Sequence, residues 1–582
     1  MLAASLAFIV GFGVYRNRHC DDLHGYLLAS RQAPWYTVLV SIMATQASAI
    51  TFLSTPGQAY ADGMRFVQFY FGLPLAMIVL SITAVPLYHR LKVYTAYEYL
   101  ETRFDLKTRT LATFMFLLAR GLSTGISIYA TSIVLSVLLH WNVTVTNLVI
   151  GGLVIVYTAS GGSKAVNWTQ SWQFVIAIGG VVLAFVVIVR SLPGDVSFLD
   201  ATRVAGKLGR LNTIDFSLDL KNRYNFWSGL IGGFFLALSY FGTDQSQVGR
   251  YLGGRSVAES RLGLLFNGLL KIPMQFFILF LGAMIFVFYQ FVMPPVFFNP
   301  VQTAALRSGD QGAAFAAVEA RHKAAFEDKQ AAVHGLIAAM RGTDAGRVES
   351  EKARVEAAQA RFVSARADGA KLLKVSGTDA SDTNYIFLSF VLAHLPSGLV
   401  GLILAVVFAA SMSSNSAAMN SLASTSVMDV YGRLIAKGRP DAHYLAASRL
   451  ATVFWGVFAM VTAMYANRLG TLIEAVNILG SLFYGTMLGI FLLAFYFKRV
   501  GGTATFAGAI VGEAAVVACW AFSSLSYLWF NVVGCLVVIG VALCIEPFAG
   551  SRGDHRVDRS LGRLNLGGPV DRVFDEKRGP RP

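Results

Sequence analysis

Apolar runs of about twenty residues recur from end to end of this 582-residue chain, which is 55% hydrophobic and only 14% charged. At 1.5 Å per residue, one such run crosses the roughly 30 Å of a bilayer's hydrocarbon. Inside hydrocarbon every backbone N–H and C=O must be satisfied within the segment or by buried neighbours. Long apolar runs therefore read as helices, and the chain as an all-α polytopic membrane protein of about 13 transmembrane spans. The 55 glycines and 15 prolines suit that solvent, glycine allowing close helix packing and proline marking breaks. Four cysteines, Cys20, Cys519, Cys535 and Cys544, are too few for a disulfide scaffold and indicate no redox or metal chemistry. The net charge of +15 lies in short segments between apolar runs and in the tail. That placement fits membrane topology better than nucleic-acid binding.

One run is interrupted where a spanning helix should be most regular. Between Pro34 and Asp62, residues Ala44, Thr45, Gln46, Ala47, Ser48 and Thr51 put small and hydroxyl-bearing side chains at mid-membrane depth, and Pro56 follows. Proline removes a helical N–H and disfavours helix at the residue before it, so the sequence predicts a helix broken in two, with Pro56 at the break. Freed backbone groups are tolerated at that depth only where they line a cavity or a site.

The charges order the remaining spans. Arg16, Arg18 and Arg31 follow a short opening run, Met1 to Tyr15, which reads as a short first helix or a start assigned slightly late. The positive-inside rule puts the amino terminus outside, the carboxyl terminus in the cytoplasm and the chain in the inner (plasma) membrane. The organisation expected is a leading helix and inner loop (1–33), a first block of five spans (34–191) with an inner turn at Lys164, and a second block of five (225–499). Two accessory helices (500–547) and a basic tail (548–582) follow. Five is odd, so the second block runs with opposite polarity, as an inverted repeat requires.

A hydrophilic insertion, 299–381, interrupts the second block. Val348, Val355 and Phe362 are spaced by seven, and Phe315, Val318, Phe326, Val333, Leu336 and Met340 form an approximate stripe around the turn Gly342 to Gly346. An antiparallel outer hairpin of two helices is expected, either a docking arm for a partner or a loop elaboration.

Two further polar intrusions stand out. Phe408 to Gly432 stacks Ser411, Ser413, Ser414, Asn415, Ser416, Asn420 and Ser421 in one apolar run, with Ala410, Ser413 and Ser414 on one helical face. Hydroxyls facing carbonyls freed by a broken helix make a neutral, hard oxygen set suited to one monovalent cation. Mg²⁺ or Ca²⁺ would call for carboxylates. Small-residue packing with hydroxyls bonded back along the helix is the plainer reading of the same run. In Tyr240 to Arg250, Gly242 offers a second break beside Asp244, Gln245 and Gln247, and Lys271 precedes Pro273 in another span. An intramembrane charge costs at least about 2.5 kcal/mol on insertion scales, so it is paired or functional, and Asp244 and Lys271 could compensate each other. Two broken helices in corresponding places of successive blocks are the mark of a secondary transporter. No phosphate-binding Gly-Lys-Ser/Thr loop suggests ATP drive, and no catalytic triad or metal-ligand spacing suggests an enzyme.

SAITFLSTPGQAY (Ser48–Tyr60), YTAYEYLETRF (Tyr94–Phe104), GGSKAVNWTQSWQ (Gly161–Gln173) and SMSSNSAAMNS (Ser411–Ser421) together resemble the sodium/solute symporter family, closest in wording to its monocarboxylate, iodide and vitamin branch. The resemblance covers all but the hairpin and the tail. It implies a five-plus-five inverted-repeat fold with discontinuous first and sixth core helices. It also implies a sodium site from the carbonyls of Ala44, Ala47 and Ala410 and the hydroxyls of Ser413 and Ser414. Solute positions by the same resemblance are Ser48, Thr51, Gln68, Tyr70, Asp244, Gln247, Lys271 and Asn477. Sugar-carrier residues are mostly absent. Gln170 stands where the family usually has an acidic residue, which removes a second sodium site's carboxylate.

The expected function is therefore sodium-coupled import of a small polar organic solute by alternating access, without an organic cofactor. The expected partners are the bilayer, sodium and the solute, and nucleic acid is not among them. The alternatives are a solute-binding sensor without net transport, a proton-coupled carrier, and a passive channel.

Overall fold

A computed structural model describes residues 33–91, 95–375, 381–466 and 470–548, and within them all side chains except those of 160–173 and 375. Met1 to Tyr15, Cys20, Tyr94, the side chain of Gln170 and the tail beyond 548 lie outside the described residues. Among the described residues, eight helices are long and apolar enough to cross a membrane, and the bent pair Trp35–Gln46 and Ala49–Asp62, angled by 60°, makes a ninth. Val143–Ala159, Phe174–Arg190 and Ser228–Gly242 are shorter apolar segments. The first two belong to one backbone helix, Val143–Arg190, so the turn expected at Lys164 is replaced by continuous helix. That stretch has glycines but no proline, and no backbone N–H is missing from its ladder.

The break in the first core span is sharper than expected and differently placed. Ala47 (φ −86°, ψ 69°) and Ser48 (φ −83°, ψ 177°) leave helical geometry. Helix then resumes at Ala49 and runs straight through Pro56 to Asp62. Proline withdraws one N–H and crowds the carbonyl four residues back, yet helix continues past Pro56, whereas two consecutive non-helical residues redirect the axis. Pro56 instead serves packing: a side-chain carbon on Gly282 would lie 2.2 Å from the Pro56 carbonyl oxygen, so the two helices touch backbone to backbone there.

The second break falls at Thr243–Asp244, between Gly233–Gly242 and Gln245–Leu252. Asp244 caps the following helix by accepting from the Ser246 N–H at 2.9 Å. The YTAYEYLETRF stretch holds this break from one end of the bundle. The Tyr88 hydroxyl, just upstream, donates to Gly242 O and the Tyr97 hydroxyl to Thr243 O, each at 2.8 Å, while Ala96 N–H donates to Gln245 Oε1 at 3.0 Å. At the same end, fully buried Arg109 ion-pairs with fully buried Asp429, which also accepts from the Thr95 hydroxyl at 2.8 Å.

At the opposite end, Gly312–Arg341 and Ala345–Val375 form an antiparallel pair, tied by Arg321–Asp368 and Arg361–Asp328. The pair does not project as an arm. Phe315 near one end of its first helix stacks on Phe297, and Arg341 at the other end pairs with Asp200 at 2.7 Å. Between them Gln330 donates to Phe291 O at 2.8 Å, so the hairpin lies flat across the bundle. Its buried stripe is Phe315, Val318, His322, Phe326, Lys329, Val333 and Leu336.

Candidate functional site

At the first break an unbroken helix would bring the Ser48 N–H to Ala44 O and the Thr51 N–H to Ala47 O. Ser48 is extended, and Thr51 N–H goes to Ser48 O at 3.0 Å. Among the described residues neither alanine carbonyl receives a backbone hydrogen bond. The Thr51 hydroxyl turns back to Gln46 O at 3.0 Å and so closes the break on its other side. The serine-rich helix, Ser397–Thr425, crosses this point. Ala44, Ala47, Ala410 and Ser413 line one small cavity with Phe52, Phe174 and Ala177. Ser414 sits beside them on the helix, 7% exposed, its hydroxyl bonded to Ser411 O at 3.1 Å; Ser413 is bonded in the same way to Ala410 O at 3.0 Å. Thr131 and Ser411 share a hydrogen bond that fastens the serine helix to Leu106–Leu139. The cavity thus has carbonyl and hydroxyl oxygens, apolar walls and no carboxylate among its lining residues, a set matched to one desolvated monovalent cation.

The solute positions divide. Asp244 is fully buried, but its partner is Arg120, with which it forms an ion pair, and the Tyr484 hydroxyl donates to it at 2.9 Å. The compensation expected between Asp244 and Lys271 is therefore not made. Arg120 was missed in the sequence, although an arginine inside the apolar part of the Leu106–Leu139 helix, well past Lys107 and Arg109 at its start, was signal enough. Its guanidinium also lies over the Tyr240 ring at 5.5 Å. Gln247 donates to the Tyr240 hydroxyl at 2.7 Å and leaves its own Oε1 unbonded.

Lys271 is 2% exposed, with its ammonium 5.5 Å from the centre of the Tyr70 ring and no ion pair among the described residues. Asn267, Lys271 and Gln275 form a buried column at four-residue spacing on the Val257–Phe291 helix. Asn267 accepts from Gln46, next to the first break, at 3.0 Å, and Gln275 has both amide atoms unbonded. Two positions are tied to backbone. Gln68 donates to Tyr224 O at 2.9 Å and accepts from Asp215 N–H at 3.0 Å, which brackets a loop at the hairpin end. Asn477 donates to Ile473 O at 2.8 Å along its own helix. Ser48 is the half-buried cap of the second half-helix.

A helical membrane protein with one span broken around a neutral oxygen cradle, and a second break pinned by an internal ion pair, is by class a cation-coupled secondary carrier. The sequence profile of the sodium:solute symporter family matches residues 26–322 and 358–512, and the chain belongs to that family, whose members are transporters and not enzymes. The sodium/sialic acid symporter SiaT of Proteus mirabilis is 26% identical over 558 residues, 94% of each chain. The human sodium/iodide cotransporter is 32% identical over 293 residues, 50% of this chain and 44% of its own. Among solved structures, a Na⁺-coupled sialic acid symporter in a substrate-bound outward-open state superposes with a TM-score of 0.72 at 24% identity, covering 94% of this chain and 97% of that one, which shows a shared fold. The profile leaves 323–357, the tip half of the hairpin, unmatched.

Proposed function

We propose that the protein imports a small organic anion together with sodium by alternating access, with the hairpin end outside and the Arg109–Asp429 end in the cytoplasm. One observation carries the choice of an anion. Arg120 neutralises Asp244, so the buried charge left over near the two breaks is the Lys271 ammonium, which has no carboxylate partner among the described residues. A buried, uncompensated cation is unfavourable unless a ligand completes the pair, and a solute carboxylate would do so. Gln275, one turn away with both amide atoms unbonded, supplies further hydrogen bonding. The relatives named for sialic acid and for iodide, both anions at neutral pH, point the same way.

Sodium would be held by the carbonyls of Ala44, Ala47 and Ala410 and the hydroxyls of Ser413 and Ser414. This joins the broken first span to the serine helix and fixes the hinge whose other side presents Ser48 and Gln46. Gln46 is already bonded to the Asn267 end of the lysine column, so ordering the hinge orders that column. Binding of the ion and of the anion are thereby coupled, because each favours the same arrangement of one hinge. Orientation rests on Arg90, Arg103, Lys107, Arg255, Arg261 and Arg433, in helix ends and short connections at the Asp429 end.

Proteoliposomes test the proposal. Uptake of labelled pyruvate, from a panel of small carboxylates and their neutral amides, is expected with an inward sodium gradient and not with potassium in its place. Ser413→Ala with Ser414→Ala should raise the sodium concentration for half-maximal uptake at least tenfold. Carboxylate uptake indifferent to sodium, or amides carried as well as acids, would refute the reading.

A further inference from the structure

The hairpin roofs a second cavity, of about 250 Å³, against the outer end of the broken first span. Tyr60 and Ala61, in the last turn of that span, form part of its floor, about 18 Å along the helix from Ser48 at 1.5 Å per residue. Three cationic side chains converge there: Arg210 from the loop after the first block, and Lys329 and Arg366 from the two hairpin helices. One carboxylate, Asp382, is among the lining residues, and Arg366 is ion-paired with it. Lys329 is 1% exposed and has no ion pair among the described residues; it donates to Tyr289 O at 3.3 Å and lies 4.0 Å from the Phe362 ring centre. Arg210 donates to Ala61 O, leaves Nε unbonded and likewise makes no ion pair among the described residues. Gln290, 1% exposed, and Gln359 also line the cavity, each with Oε1 unbonded.

Two cations with no ion-pair partner among the described residues, one of them almost wholly buried, beside a cavity whose one lining carboxylate is already paired with Arg366, describe a site that lacks its anion. From this geometry we infer that the hairpin completes an external anion-binding vestibule, in which Lys329 and Arg210 take the carboxylate of a small organic acid before it reaches the broken span. Burial pushes the Lys329 amine down to about 7, a strain that an anion at the site relieves. Lys329 lies in 323–357, a stretch the family profile leaves unmatched, so the insertion adds its buried amine to a cavity otherwise lined by residues in matched segments. That the captured acid is also the transported solute rests on the function proposed above; the existence of the site does not.

Fluorine NMR of 4-fluorobenzoate against the full-length protein in detergent, without sodium, tests the site. A Lys271→Gln background removes the central cation, so that only the vestibule is read. Saturable line broadening is expected there, at least tenfold weaker after Lys329→Met and after Arg210→Gln, and retained by Lys329→Arg. Lys329→Met removes a buried charge and leaves the hairpin core intact, so loss of binding reports the charge. No broadening in the Lys271→Gln background, affinity unchanged by both charge removals, or equal binding of 4-fluorobenzamide would each overturn the inference. Because sodium and transport are absent from this measurement, its failure is distinct from failure of sodium-driven uptake.

Discussion

Arg120 and Asp244, 124 residues apart, form an ion pair with the aspartate fully buried at the second helix break. Tyr484 donates to the same carboxylate and Tyr240 lies beside the guanidinium. Removing one member strands the other as a bare charge in low dielectric, which costs about 3–5 kcal/mol. Arg120→Met and Asp244→Asn should each lower the thermal midpoint of the purified protein markedly. The double variant should recover most of the loss, since no uncompensated charge remains. Additive losses in a double-mutant cycle would show that the two do not act as a pair.

Lys271 should behave in the opposite way. Lys271→Met removes a buried charge that lacks a protein partner, so the ligand-free protein is expected to melt at a higher temperature, while sodium-driven carboxylate uptake falls at least a hundredfold. Stability gained as activity is lost marks a residue kept for binding. A variant that melts lower and still transports carboxylates would place Lys271 in the scaffold.

Charge coupling gives a third expectation. On the proposed reading, one sodium at the broken first span travels with one monoanion, and the pair carries no net charge. A tenfold sodium gradient then supplies about 1.4 kcal/mol and roughly tenfold accumulation, with no contribution from membrane potential. A neutral solute carried the same way would gain a further 2.3 kcal/mol at about 100 mV. Pyruvate accumulation in proteoliposomes should therefore be unchanged by a valinomycin-imposed potential. Strong stimulation by an inside-negative potential would require a second sodium or an uncharged solute.

The hairpin carries a pH dependence of its own. Burial, with help from Arg366 and Lys329, pushes the His322 imidazole down to about 4 from its ordinary 6.5. Its ring lies 4.3 Å from that of Phe362, and its Nε2 is unbonded. Between those two values the unfolded hairpin holds a proton that the folded one excludes, so stability is complete above about 6.5 and declines as pH falls towards 4. Amide exchange in 312–341, corrected for intrinsic rates, should quicken on acidification across that window, and His322→Phe should abolish the change. Protection constant from pH 7 to 4 in the parent protein would contradict this.

How much the sequence disclosed depended on whether a residue's chemistry or its neighbours decide its place. The broken first span was legible, because small polar residues in hydrocarbon have few other uses, but Pro56 drew attention away from Ala47 and Ser48, whose dihedrals make the break. Ala44, Ala47, Ala410 and Ser413 do line one cavity; the family resemblance had implied the set, and spacing by itself had placed only Ala410, Ser413 and Ser414 on one face. Partner choice was not legible. Asp244 meets Arg120 and not Lys271 because helices distant in sequence pack together, and no local pattern encodes that contact. The hairpin's stripe was readable from its spacing, yet whether it stood out or lay flat depended on Phe297, Asp200 and Phe291 on other elements.

The two breaks are finished differently. Tyr88, Tyr97 and Ala96 supply protein donors at the second, so it is stapled whether or not an ion is present. Among the described residues the Ala44 and Ala47 carbonyls of the first have no such donors. The second break is thus closed by the protein itself, while the first leaves two carbonyl oxygens to whatever binds between it and the serine helix.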